Sequence, residues 1–271
     1  MAVGNVVGSL MIIGSTALHI LHMPLESRQD LLLAQAILTV NMFIVGPLGY
    51  WCVVKKKAIY DFFAGERRYL SFTVLTVVLI FVAMLVNTYF VYWNAHLQLP
   101  AWLSKAAHWA KHKEESLKHL TDLLTTFASW QDLGIGIVVM SLMPAVGEEI
   151  VFRGILQSIL NKRLNSHLAI WGVAFIFSAI HLQFYGFVPR FLLGALFGYL
   201  YSWTHNLFYP MLAHFVNNSF TLALAFMHQH TTQQFSEEHH LLPLPIFISC
   251  FVIGAAISVY IYQQTKYLRH H

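Results

Sequence analysis

Two glutamates and an arginine, Glu148, Glu149 and Arg153, stand within six residues of each other. They interrupt an apolar run that extends from about Leu133 to Leu160. A charged side chain at mid-bilayer costs ~3 kcal/mol on insertion scales, so three together need partners, water or a chemical task. If the run is helical, Glu149 and Arg153 are one turn apart on one face and can pair. Glu148 points about 100° away from its neighbour and is left to face a cavity. An ion pair that only locks two helices together is the plainer alternative. Three further polar residues break later apolar runs: His181, His214 and Asn218. His214 and Asn218 are four apart and share a helical face. Singly, each has an ordinary explanation, as a satisfied core histidine or an amide linking two helices. Together, two carboxylates, two imidazoles and an amide on three helices form a set suited to activating water.

The elements that would position this set are transmembrane. The chain has 271 residues, of which 57% are hydrophobic and only 10% charged, with mean hydropathy +0.59. Soluble domains carry about 25% charged residues. An all-α, polytopic transmembrane bundle of about eight spans is therefore expected, its motif-bearing core being four helices in the C-terminal half. The net charge of +4 is gathered in short loops. That pattern reads as membrane topology and not as nucleic-acid binding. Cys52 and Cys250 lie in apolar runs and imply no disulfide framework. Histidines in loops (His108, His112, His119, His228, His230, His239, His240) read as solvated.

Spans are expected at 3–22, 31–53, 70–93, 133–160, 168–184, 189–204, 208–228 and 244–263, with an amphipathic surface helix over 101–120. Three parts follow: residues 1–132 with the N-terminal spans and surface helix, a catalytic core over 133–228, and a final span and tail over 229–271. The cluster Lys55, Lys56, Lys57, Arg67 and Arg68 belongs in the cytoplasm. Counting spans from there puts Lys162, Arg163, Lys266, Arg269 and both termini on the same side. The four lysines of the surface helix fall on the other side, against the rule. Gly194 and Gly198 form a GxxxG spacing suited to close helix packing. With these boundaries His181 lies ~20 Å along its helix and His214 only ~9 Å along its own. A shared site then requires either boundaries shifted by several residues or a helix that is tilted or broken, with 182–190, containing Gly186 and Pro189, as the expected place of the fault.

The sequence GEEIVFRG at 147–154 resembles the EExxxR signature of the CPBP family, the CAAX-protease and bacteriocin-processing (Abi) membrane proteins, which are similar to type II CAAX prenyl endopeptidases. FSAIH at 177–181 resembles that family's FxxxH motif, and HFVNN at 214–218 its HxxxN element. The run from Phe191 to Gly198, with Thr204, Asn206, Leu207 and Pro210, is similar to the family's linker. The resemblance covers about 143–220. One departure is His205, where members often have glycine. No HExxH, no GxSxG elbow and no aspartate placed within an apolar span is present.

The resemblance implies hydrolysis of a peptide bond in a membrane-associated peptide or protein. Catalytic roles are expected for Glu148, Glu149, Arg153, His181, His214 and Asn218. Glu148 would be the general base, His214 and Asn218 donors to the oxyanion, and Glu149 the partner of Arg153. No cofactor is favoured. The alternative is a zinc enzyme with Glu148, His181 and His214 as metal ligands. A non-catalytic scaffold or immunity protein on the same fold, or a transporter using the charges as a proton relay, remain the other classes. The bilayer, most naturally that of a prokaryotic cell, is the expected location of this multi-pass chain. Neither the substrate nor the oligomeric state is specified.

Overall fold

The computed structural model describes residues 27–53, 56, 58–63, 65, 68–97, 100–231 and 241–270. The first expected span, over 3–22, lies outside the described residues, as do Lys55, Lys57, Arg67, His239 and His240. The described chain is helical and, among the described residues, contains no strand.

The helices, in order, are α1 Arg28–Val53, α2 Ile59–Phe63, α3 Leu70–Ala95, α4 Ser104–Leu124, α5 Trp130–Leu160, α6 Ser166–Ala179, α7 Phe187–Thr204, α8 Phe208–His230 and α9 Leu244–His270. Four of them, α1, α3, α5 and α9, are long and apolar enough to cross a membrane by length and composition. Helix α6 is apolar but shorter. The bundle is that of a polytopic membrane protein.

Local signals set the ends. Ser27 and Asp30 form a reciprocal capping box at the start of α1. This satisfies backbone donors that a first turn leaves unpaired. Ser129 accepts from the Asp132 N–H at the start of α5, and Asn165 from the Leu168 N–H at the start of α6. Helix α7 ends at Thr204 because His205 takes a left-handed conformation, φ 46° and ψ 29°. That conformation favours glycine and costs other residues about 1 kcal/mol or more. The departure from the family's usual glycine therefore falls on the residue that must turn the chain.

Helix α5 packs against α1, α6, α7 and α8. Its hydrogen bonding widens to π-type turns at Ile137–Leu142 and again at Ile150–Gln157, either side of the regular stretch Met143–Glu149. Such widened turns insert an extra residue and are frequent at functional sites. Between α5 and α7 the packing is close. A β-carbon on Gly198 would stand 2.9 Å from Ile170 Cγ2 and 3.0 Å from Gln157 Oε1. At Gly194 it would stand 3.1 Å from Phe177. The GxxxG spacing thus marks where α7 meets both α5 and α6.

Residues 101–120 are helical, a short turn at Ala101–Leu103 leading into α4, with Trp102 exposed on the turn and Trp109 exposed on α4. Arg28 Nε donates to the Leu124 carbonyl at 2.9 Å and ties the end of α4 to the start of α1. At the other boundary in question, α6 stops at Ala179 and the chain runs non-helically through 180–186, with Leu182 at φ 55°. Helix α6 thus ends five residues before the expected 184, so the mismatch in depth traces to the helix boundary, and His181 stands in the loop beyond it, while Pro189 lies within α7.

Candidate active site

The non-helical stretch after α6 is held by side chains from three other elements. Asn94, buried on α3, donates to the Phe184 carbonyl at 3.0 Å and accepts from the Val188 N–H at 2.8 Å. Ser178 donates to the Phe187 carbonyl at 2.7 Å. Glu114 of α4 accepts from the Tyr185 N–H at 3.0 Å. Free backbone groups in an apolar setting are costly, and these contacts satisfy several of them. The stretch therefore delivers His181 at one end and Arg190 at the other in fixed positions.

Glu149 and Arg153 are fully buried and paired, with Nη1 donating to Oε1 at 2.7 Å. The same Oε1 lies 2.9 Å from His214 Nδ1. The other ring nitrogen, Nε2, lies 3.8 Å from Glu148 Oε2. His214 thus stands between the two adjacent glutamates, one at each ring nitrogen. Phe197 stacks on the imidazole, with centroids 5.2 Å apart and planes at 20°. Arg153 lies 5.0 Å from the Phe177 ring and 5.4 Å from the Phe197 ring, a cation–π arrangement that partly compensates its burial.

A polar seam continues along α5. Arg153 Nη2 donates to the Gly194 carbonyl at 2.8 Å, and Gln157 Nε2 to the Gly198 carbonyl at 3.0 Å. Two residues four apart on α5 meet two glycines four apart on α7. The missing side chains of the glycines are what let the donors reach backbone oxygen. Among the described residues Glu149 Oε2, Arg153 Nε and Gln157 Oε1 make no hydrogen bond. Each such buried group costs about 1–3 kcal/mol, so the seam is fixed in place more than it is optimised.

Beside the seam lies a cavity of about 540 Å³, to which α1, α3, α5, α6, α7 and α8 or their flanks contribute. Glu148, His181, His214 and Asn218 all line it; Glu149 and Arg153 lie behind it, in the seam. His181 Nδ1 donates to the Phe177 carbonyl at 2.7 Å, which leaves Nε2 as the ring's acceptor. The Phe177 ring is 5.1 Å from His181 and 6.0 Å from His214, so one phenyl ring spaces the two imidazoles. Asn218 Oδ1 accepts from Asn217 Nδ2 at 3.1 Å, leaving the Asn218 NH2 as a donor for the cavity.

The cavity also holds Arg190, Asn217 and Gln35, for which sequence reasoning supplied no role. Arg190 Nη2 contacts Gln183 Oε1, while Nη1 is buried and makes no hydrogen bond among the described residues. The signal that points to Arg190 is a cation directly after Pro189 at the head of an apolar run, with no acidic residue at i±3 or i±4.

Among the described residues no three histidine, cysteine, aspartate or glutamate side chains are grouped to hold a metal ion. Glu148, His181 and His214 share the cavity walls, but their donor atoms do not form a ligand cluster.

Residues 130–220 match the Rce1-like family, described as type II CAAX prenyl endopeptidase Rce1-like. That stretch spans α5 through most of α8 and contains every residue of the seam and most of the cavity wall. The chain is also 32% identical over 107 residues to the uncharacterized protein YpbD of Bacillus subtilis (strain 168), a match covering 38% of this chain and 52% of that one. The chain thus spans about half the length of this relative. No solved structure matches it.

Proposed function

We propose that this integral membrane protein is an intramembrane endopeptidase in which Glu148 activates water. The observation that carries the proposal is the placement of His214 between Glu148 and Glu149 on the wall of a cavity shared with His181 and Asn218. The similarity of residues 130–220 to type II CAAX prenyl endopeptidases supports the same class of reaction. Residues 133–228 are the catalytic core, and both termini are cytoplasmic.

Glu148 takes a proton from a water molecule as its oxygen attacks the scissile carbonyl carbon. The carbonyl π electrons move to oxygen and form a tetrahedral oxyanion. Asn218 Nδ2 and His214 Nε2 donate to that oxyanion. With Nδ1 donating to Glu149, a proton on Nε2 makes the ring an imidazolium. The chain of charges Arg153, Glu149, His214, Glu148 then alternates in sign and sums to zero. Collapse of the intermediate breaks the C–N bond, and Glu148 returns its proton to the leaving amine. Glu149 touches no reacting atom in this scheme; it holds the doubly protonated His214 ring at the angle the donor needs, while Arg153 holds Glu149.

The ungrouped donor set favours the metal-free form over the zinc form. The substrate is a membrane-associated peptide or protein with its scissile bond drawn into the cavity. The test is turnover of a membrane-associated peptide by the purified full chain, with and without a strong chelator. Glu148→Gln should abolish turnover with the fold intact, and chelation should change nothing. Activity retained by Glu148→Gln sinks the assignment. Stoichiometric zinc lost together with activity overturns the metal-free form and keeps the peptidase.

A further inference from the structure

At the far end of α7 from the catalytic cavity lies a second and larger hollow, of about 730 Å³. Arg190 and Tyr201, which face the two cavities, are eleven residues apart, or ~16 Å along the helix. The floor is polar. Lys266 and Arg269 come from the last turns of α9, His167 from the first turn of α6, and His205 from the turn after α7. Hydroxyls of Ser158, Tyr199 and Tyr201 accompany them. None of the lining side chains, among the described residues, is acidic.

Several of these groups are held in place. Arg269 Nη2 contacts the Trp203 carbonyl, which joins the end of α9 to the end of α7. His167 Nδ1 and the Tyr199 hydroxyl are 2.9 Å apart. Ser158 and Tyr201 hydroxyls meet at 3.4 Å. The rings of Tyr199, Trp203 and Tyr262 follow one another at 5.5 and 6.3 Å.

Two of the walls fix the depth of this hollow. The apolar spans α5 and α9 end at Leu160 and Arg269, beside Asn161 and Lys266 respectively. The basic pair Lys162 and Arg163 follows immediately. Tyrosine and tryptophan next to the ends of apolar spans mark the headgroup level of a bilayer. Cations converging there, on a cavity without carboxylates, meet the phosphate-bearing side of the membrane.

We propose that this hollow is a binding site for a phosphate-bearing anion, distinct from the catalytic cavity. Lys266 and Arg269 supply the charged contacts, and His167 with the tyrosine and serine hydroxyls the remaining polar ones. The phosphate comes from the headgroup of an anionic phospholipid or from a soluble phosphate, and one experiment separates the two. The full chain in a zwitterionic detergent is titrated with phosphatidylglycerol, with phosphatidylcholine of the same acyl chains, and with inorganic phosphate. Bound phospholipid per chain and the midpoint of thermal unfolding are read together.

Phosphatidylglycerol should bind more tightly than phosphatidylcholine, and Lys266→Gln should weaken it about five-fold, as expected for one interfacial cation. Lys266→Arg should restore binding, which separates loss of charge from loss of fold. Millimolar phosphate that fails to displace the lipid identifies the headgroup as ligand. Phosphate that displaces it, and raises the unfolding midpoint of the wild type but not of Lys266→Gln, identifies the soluble anion. Lys162 is nearby but does not line the hollow. If Lys162→Gln weakens binding as much as Lys266→Gln, the effect belongs to a diffuse basic face and the site does not exist. Equal binding of the two lipids with no response to phosphate overturns it as well.

Discussion

Two regions that share α5 treat charge in opposite ways. In the seam, Glu149, Arg153 and Gln157 are wholly buried and each has one or more polar atoms paired within the protein, on each other, on His214 or on the carbonyls of α7. In the cavity next to it, Glu148, Arg190 and Asn218 are partly open, and Arg190 Nη1 and the Asn218 NH2 remain unspent. Adjacent residues of one helix, Glu148 and Glu149, fall on the two sides of this division. The difference teaches what each can be for. A buried charge that loses its partner costs several kcal/mol, so Glu149 is bound into the fold. A carboxylate at a cavity wall can lose its charge more cheaply and is free to exchange protons.

Substitutions can break that division in turn. Glu148→Gln should have the largest effect on function, reducing turnover at least ~10³-fold, by analogy with loss of a general base and its geometry. It should leave the thermal midpoint close to that of the wild type. Glu149→Gln should instead act on stability, by ~3–5 kcal/mol, because Arg153 stays buried without a counter-charge. Chemical denaturation of both variants compares the regions directly. A stable Glu149→Gln together with an unfolded Glu148→Gln reverses the assignment.

Asn218→Ala should lower turnover ~10²-fold with little change in substrate affinity, the signature of a donor used in the transition state. A rise in KM with unchanged kcat moves Asn218 to substrate binding. Gly198→Ala should cost ~1–3 kcal/mol, since the added methyl meets Ile170 and displaces Gln157 from its carbonyl. Because the seam ends at Arg153 and Glu149, its activity per folded molecule should fall by less than that of any cavity variant. Steady-state kinetics on the folded fraction would check this.

Much of the seam was legible in the sequence because it is local. The Glu149–Arg153 pair follows from a spacing of four on a helix, and so does the shared face of His214 and Asn218. Comparing depths along two helices exposed the mismatch between His181 and His214, and the early end of α6 at Ala179 accounts for it. What was not legible depends on how far one helix slides against another. That His214 sits between both glutamates is set by the level of α8 against α5, which no local period encodes. Likewise the GxxxG of α7 read only as close packing. Its match to Arg153 and Gln157, spaced four apart on another helix, becomes visible only when the two are laid side by side. Arg190 escaped notice because a cation at the start of an apolar helix looks like an interfacial anchor.

The brevity of α6 has a consequence for the lipid around it. Its 14 residues cover ~21 Å, whereas a typical hydrocarbon core is ~30 Å thick. Helix α3, with 26 residues, reaches ~39 Å. If α6 crosses the bilayer, the lipid beside it must be thinner than beside α3, at a cost of a fraction of a kcal/mol per ångström of mismatch. Such a dimple would lie at the end of α6, next to the loop bearing His181, and would shorten the path of water to that histidine. If the proposed endopeptidase admits its substrate at that rim, its turnover should vary between vesicles of short-chain and long-chain lipid.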